Sequence, residues 1–287
     1  MIKLPISVII LTYNEEMNLP HCLESISGWI EKIFIVDSYS KDKTLEIAKD
    51  YEVEIIQHKF EHYSKQRNWA LKNLPIKTDW VFNLDADHRV TEELKEELIE
   101  RFKEGPPEDI KGFLISRRAI FMGRWIKHGG HYPTYHAPLF IKDFGYCEYR
   151  RYDQHFVVEG KTKTLKGNII DIISDSLTTF TNRHNHWASL ECDEQINKDN
   201  KVNKEVKSKF FGDRRQRRRF LRNNYHRLPL FVRPFLYFIY RYIFRLGFLD
   251  GKEGLIFHTL QGFWYRFLVD AKIYEKKRAA DGKENEL

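Results

Sequence analysis

Three cysteines in 287 residues, Cys22, Cys147 and Cys192, are too few and too scattered for a disulfide framework or a thiolate zinc site. That usage fits a reducing compartment. No G-x-G-x-x-G and no G-x-x-x-x-G-K-[ST] follows the first apolar run, which excludes the Rossmann and P-loop phosphate cradles. The apolar run near the N-terminus, Ile6 to Leu11, is too short for a signal sequence, and no small-residue cleavage site follows it. It reads instead as a buried opening strand. Acid is scarce in one place. From Lys207 to Arg245 there are twelve Lys/Arg against the single acid Asp213, a local +11, so the remainder of the chain carries −4 of the +7 total. The basicity is therefore a local surface for an anionic partner, not a property of the whole molecule.

Hydrophobic residues make up 42% of the chain, enough for a large core, and aromatics reach 15%. Short β-rich runs alternate with polar helical stretches through the first 105 residues. Strands are expected at 6–11, 32–37, 53–58 and 79–85. Helices are expected from about Glu15 to Gly28, after Ser40 or Asp42, over 64–74, and over 91–102 with Thr91 as cap and Leu94, Leu98 and Phe102 on one face. Repeated βα units predict a doubly wound α/β sheet. The breaker "EGPPED" at 104–109 marks a lobe boundary. Residues 110–175 read as further strands, and 176–206 as helical.

In such a sheet, ligands bind beyond the carboxyl ends of the strands. Thr12, Tyr13, Asn14 and Glu15 follow the first strand, Asp37, Ser38 and Ser40 the second, and Asp85 and Asp87 the fourth. Each acid has an ordinary reading: Asp37 as a helix cap, Glu15 as a first-turn acid. Together they bring carboxylates to one sheet edge. With no glycine cradle, a divalent cation held by hard oxygen ligands is the usual way to manage a diphosphate. Asp85 and Asp87 point the same way if the strand continues through Ala86. The histidines at 128, 131, 136, 155, 184 and 186 show no H-E-x-x-H spacing.

Four stretches, "SVIILTYNEEMNLPHCLESI", "IFIVDSYSKDKT", "KQRNWAL" and "WVFNLDADHRV", occur in the order and spacing of the donor half of a family 2 glycosyltransferase, which the chain resembles. The resemblance implies a GT-A fold, here a doubly wound mixed sheet, with a nucleoside diphosphate sugar donor, Mg2+ or Mn2+, and inversion at the anomeric carbon. It places Thr12, Tyr13 and Glu15 around the nucleotide, Asp37 on the base, Arg67 near the base or ribose, and Asp85 and Asp87 on the metal. "RRAIFMGRWIKHGGHYPTYHAPLF" and "YDQHFVVEGKTKTLKG" resemble the acceptor side of bacterial transferases building polysaccharide and lipopolysaccharide-core sugars. An inverting transferase needs a carboxylate to take the acceptor proton. Gln154 stands where some relatives carry Glu and cannot serve. Asp153 is the expected base and His155 the alternative, and an ion pair of Asp153 with Arg150 or Arg151 is the competing reading.

"RRQRRRFLRNNYHR" (214–227) invites a nucleic-acid reading. The stretch 228–249 is apolar but carries Arg233, Arg241 and Arg245, which disfavours a spanning helix. A helix from Pro234 with Tyr237, Arg241 and Arg245 as a cationic stripe suits a membrane interface. A second aromatic helix is expected over Phe257 to Lys277. The expected organisation is a GT-A domain over 1–206, divided into a donor half (1–105) and an acceptor half (106–206), followed by a membrane-association region over 207–287. The expected activity is transfer of a sugar to a hydroxyl of a lipid-linked or membrane-proximal glycan, on the cytoplasmic face of the cell membrane, with the surface contacted through 214–277. A polyprenyl-phosphate sugar synthase of the same fold and a nucleic-acid-binding module are the alternatives.

Overall fold

"ISVIIL" lies at the centre of β1 (Leu4–Thr12), where alternation sends Ile6, Val8 and Ile10 to one core and Ile9 to another. A strand buried on both faces needs apolar residues at every position. The computed structural model describes residues 3–149, 154–174, 176–196, 224–280 and 282. By its contacts the chain divides into two compact units, Met1–Lys127 with His131–Ile173, and His128–Gly130 with Ser174–Leu287.

In the first unit, β2 (Ile30–Asp37), β3 (Val53–Gln57) and β4 (Trp80–Asp85) join β1 in a parallel block of order β3-β2-β1-β4. Helices α1 (Leu19–Ile26) and α2 (Thr44–Ala48) cover one face, and α3 (Tyr63–Asn73) the other through Ala70 and Leu71. The helix expected from Glu15 begins only at Leu19, with Pro20 in its first turn. The residues before it are drawn into the neighbouring loop: Glu15 N–H donates to Thr44 Oγ1 at 2.7 Å, and Glu16 N–H to Asp42 Oδ2 at 3.0 Å. Asp42 Oδ1 in turn accepts from the Thr44 amide at 3.0 Å.

The sheet continues through β5 (His88–Val90), α4 (Glu92–Phe102), β6 (Gly112–Phe121), β7 (Arg124–Trp125), β8 (Tyr135–Ile141) and β11 (Thr162–Ile172), while β9 (Gly145–Cys147) and β10 (Phe156–Val158) form a separate hairpin-like pair. Strand β8 runs antiparallel to β4 and to β6, and β11 runs parallel to β6. The carboxyl ends of β1, β2, β3, β4, β6 and β11 therefore share one edge. Strand β5 is antiparallel on β11, with Asp171 opposite His88. The sheet is thus doubly wound and mixed. Thr91 caps α4 as expected, its side chain accepting from the Leu94 amide, and Leu94, Leu98 and Phe102 are buried.

The second unit is helical. It contains α5 (Leu177–Ile196), α6 (Val232–Ile239) running into a π-helical turn at Tyr240–Phe244, and α7 (Gly251–Phe257), which passes through a π-helical stretch at His258–Trp264 into α8 (Tyr265–Ala280). Helix α5 meets α8 through Glu191, which accepts from Tyr265 Oη at 2.6 Å and from Arg266 at 2.9 Å. The cationic stripe expected on α6, Tyr237, Arg241 and Arg245, is split: Arg245 is exposed, while Arg241 and the neighbouring Arg233 are buried. Arg233 is buried and donates to Asp270 through Nε at 2.7 Å. Arg241 is buried and donates to the Gly129 carbonyl and to Gln261 Oε1, each at 2.7 Å. Apart from Arg245 the exposed residues are largely apolar: Phe235, Leu236, Ile239, Ile243 and Phe244 are exposed, with Leu246, Phe248 and Leu249 after them. Phe263 packs against Phe235 with ring centroids 4.6 Å apart. Among the described residues, no helix is long and apolar enough to cross a membrane.

Candidate active site

The sheet edge gathers its acids because each ends an apolar strand. Thr12 pairs with Asp37, and Leu11 with Asp85, in the β1–β2 and β1–β4 registers. Asp37 is fully buried. Its Oδ1 accepts from Thr12 Oγ1 at 3.0 Å and from Ser40 Oγ at 2.5 Å. Its Oδ2 accepts from the Ser40 amide at 3.0 Å and Gln57 Nε2 at 3.2 Å. Four donors fill the four lone-pair sites of a carboxylate. These contacts tie Asp37, expected on the base, to Thr12, Gln57 and the β2–α2 loop. That loop is laced to the one after β1: Asn14 N–H donates to Ser40 Oγ at 2.8 Å, and Lys41 N–H to Asn14 Oδ1 at 2.8 Å. Tyr13 stands exposed beside it. Glu15 accepts from Asn18 Nδ2 at 3.1 Å.

Arg67, expected near the base or ribose, lies wholly under the sheet edge. Its guanidinium donates to the Ile9 carbonyl at 3.0 Å, the Leu84 carbonyl at 2.5 Å and Asp85 Oδ1 at 2.5 Å, and its Nε donates to Tyr63 Oη at 3.1 Å. Tyr63 Oη donates onward to Asp85 Oδ1 at 3.0 Å. One turn of α3 separates Tyr63 from Arg67, so both reach the same oxygen. Burial alone would raise the Asp85 carboxyl; the Arg67 charge and hydrogen bond outweigh it and hold the group well below the usual carboxylate range.

The strand does not continue through Ala86. It stops at Asp85, and a turn at 86–87 carries the chain into β5. Asp87 nevertheless returns to Asp85, because the turn folds it back: ligand atoms of Asp85, Asp87 and His88 lie within 4.8 Å of one another. His88 Nδ1 accepts from the Asp85 amide at 3.0 Å, which puts the ring proton of the neutral imidazole on Nε2. Burial, with Arg117 nearby, pushes the His88 pKa down to about 4, so the ring is neutral at pH 7. Its Nε2 faces Asp85, Asp87 and Asp171 at 3.6, 3.9 and 4.0 Å. With the proton there, His88 meets these acids as a donor, and the carboxylates of Asp85 and Asp87 are the fitting oxygen ligands for a hard divalent cation. Asp171 comes from β11 and faces Arg117 at 3.6 Å.

Tyr63, His88 and Asp171 had no place in the sequence-based site. For Asp171 a signal existed: "NIIDII" sets an acid inside an apolar run. On the acceptor side, Asp153 lies outside the described residues. Gln154 is half-buried, and His155 is exposed, with its amide donating to Glu148 Oε2 at 3.1 Å and its ring 5.9 Å from that of His136.

The family described as "Glycosyl transferase family 2" matches residues 7–155. The chain is 31% identical over 281 residues to the lipopolysaccharide core biosynthesis glycosyltransferase LpsC of Rhizobium meliloti (strain 1021), covering 96% of this chain and 93% of the relative. It is 32% identical over 93 residues to an uncharacterized glycosyltransferase of Rickettsia typhi, covering 32% and 31% of the two chains. Among solved structures, S. aureus TarS 1-349 aligns over 96% of this chain and 91% of that one, at 16% identity and a TM-score of 0.48.

Proposed function

The chain belongs to glycosyl transferase family 2 and is a glycosyltransferase, and from that premise we propose that it moves a sugar, with inversion, from a nucleoside diphosphate donor to a hydroxyl of a lipid-linked or membrane-proximal glycan of the lipopolysaccharide-core type. The observation that carries the donor half is the fixed carboxylate pair: Asp85 pinned by Arg67 and Tyr63, with Asp87 turned back beside it at the carboxyl edge. A Mg2+ or Mn2+ ion held there supplies the charge that offsets the departing diphosphate. Asp85 and Asp87 hold it. Arg67 and Tyr63 keep Asp85 in one rotamer, and Thr12, Tyr13 and Glu15 border the nucleotide from the loop after β1. Asp153 takes the proton of the attacking hydroxyl, with His155 the alternative base. In this reading 1–105 is the donor half, 106–206 the acceptor half and 207–287 the membrane-association region. The acceptor class rests on the nearly full-length similarity to a lipopolysaccharide core transferase.

The lipid-linked acceptor also accounts for the outward apolar face of α6 and its following turn, next in sequence to the basic stretch. A peripheral seat on the cytoplasmic face of the membrane follows from the same features.

The test is calorimetric titration of the full chain with UDP-, GDP-, CDP-, ADP- and dTDP-sugars, with Mn2+ and with a chelator. One donor class binds in the presence of Mn2+, and Asp87→Ala abolishes the Mn2+-dependent increment. Donor binding that ignores both the chelator and Asp87→Ala would overturn the metal assignment. No binding by any nucleotide sugar would overturn the donor reading.

A further inference from the structure

Tyr39 sits where its fold has least use for it. It follows Asp37 and Ser38 at the carboxyl end of β2, and its backbone is left-handed at φ +62. That region is unfavourable for a bulky aromatic residue and suits Gly or Asn. The conformation is fixed from both sides. Ser38 N–H donates to the Thr12 carbonyl at 2.9 Å, and the Ser40 amide and hydroxyl are both held by Asp37. The side chain returns nothing to the core, since Tyr39 is 54% exposed. A strained backbone carrying an exposed ring is a feature of sites more often than of scaffolds.

Its neighbourhood identifies what the ring would meet. Asn14, also left-handed at φ +56, is tied to Ser40 and Lys41, so the residues before the two tied positions, Tyr13 and Tyr39, are presented from adjacent loops at the same strand edge. Tyr13 is 57% exposed. Asp37, the carboxylate that ends β2 in this corner, has its acceptors filled from within. What the corner offers a ligand is aromatic surface. We infer that Tyr39 is a nucleobase-stacking residue of the donor site, so that this chain grips the base by its flat face and not through the Asp37 carboxylate. The inference rests on the donor site proposed above.

The measurement is binding of UDP, GDP, CDP, ADP and dTDP to the full chain with Mn2+, beside Mn2+–pyrophosphate, which has no base. Tyr39→Asn keeps a residue that tolerates the left-handed backbone and removes the ring. Its affinity for the best-bound nucleotide should fall about 5- to 150-fold, the ~1–3 kcal/mol of one aromatic–base stack at about 1.4 kcal/mol per tenfold. Pyrophosphate affinity and melting temperature should not change, and Tyr39→Phe should bind as the parent does. Equal nucleotide affinity in Tyr39→Asn would overturn the inference while leaving the donor site standing, as would a parallel loss for pyrophosphate, which reports a merely structural role. Failure of the parent to bind any nucleotide would overturn both.

Discussion

Arg67 is a charge with no water to face, and everything around it answers that cost. Two strand-end carbonyls and one carboxylate oxygen take its guanidinium protons, and Tyr63 takes its Nε proton. Breaking such a pair from one side leaves the partner uncompensated, typically at about 3–5 kcal/mol. Asp85 retains some solvent access, so Arg67→Leu is expected at the low end, roughly 3 kcal/mol, read as a lower urea midpoint with unchanged slope. The pH dependence has a definite sign. The folded Asp85 carboxyl is held below its ordinary value, so the stabilisation is fully present above the unfolded carboxylate value of about 4 and is lost as pH falls through the lower folded value. The difference between parent and Arg67→Leu should therefore be widest near neutral pH and narrow below about pH 4. An undiminished difference in acid would show that Asp85 is not what Arg67 serves. "KQRNWAL" identified the residue, but not where it points. Helical spacing gives a face of α3, and only the packed sheet shows that this face looks at Ile9, Leu84 and Asp85.

At the scale of elements, the apolar runs made β1, β2 and β4 legible, because the centre of a strand buried on both faces is nearly all apolar. Strand β5 was not. Three residues after a turn carry no period, and its partner β11 lies about eighty residues on, so no local pattern announces that Asp171 will face His88. Strand β11 is held in that position by α4. Its pairing with β6 shifts register between Thr164 and Asn168, and Glu97 Oε2 accepts from the Lys166 and Gly167 amides at 2.8 and 3.0 Å inside the irregular stretch. Gly167 is required for space: a Cβ there would stand 2.3 Å from Leu94 Cα, backbone that cannot turn aside. Gly167→Ala should push α4 off β11 and cost about 1–3 kcal/mol, as overpacking does, measured by urea unfolding. A stability equal to the parent's would mean the helix has room to retreat. Helix α6 shows the opposite limit of pattern reading. The i, i+4 spacing of Tyr237, Arg241 and Arg245 was visible, but a cationic stripe does not say which side is out. Arg233 finds Asp270 thirty-seven residues later, and Arg241 finds Gln261, so these two arginines turn inward while Arg245 and the apolar residues stay outside.

Across the whole molecule, that inversion changes how the chain would meet a lipid surface. A cationic stripe would adsorb by charge alone and detach in salt within the Debye length, about 8 Å at physiological ionic strength. An outward face of Phe235, Ile239, Ile243 and Phe244 would insert, with charge only bringing it there. Charge is also carried by the stretch before α6, where Lys207 to Arg227 has nine Lys/Arg against the single acid Asp213, a local +8. The two contributions separate experimentally in the full chain with vesicles containing anionic lipid. Phe244 is 73% exposed, so Phe244→Asp should leave unfolding stability within about 0.5 kcal/mol of the parent. Burying a Phe side chain is worth about 1.5–3 kcal/mol, so vesicle partitioning should weaken by roughly 10- to 150-fold. High salt should weaken the parent's binding and leave a residual that Phe244→Asp lacks. Binding that Phe244→Asp leaves intact and salt abolishes would return the membrane contact to the basic segment alone. Absence of vesicle binding by the parent would remove the membrane from this protein's partners and leave the apolar face to a second protein surface.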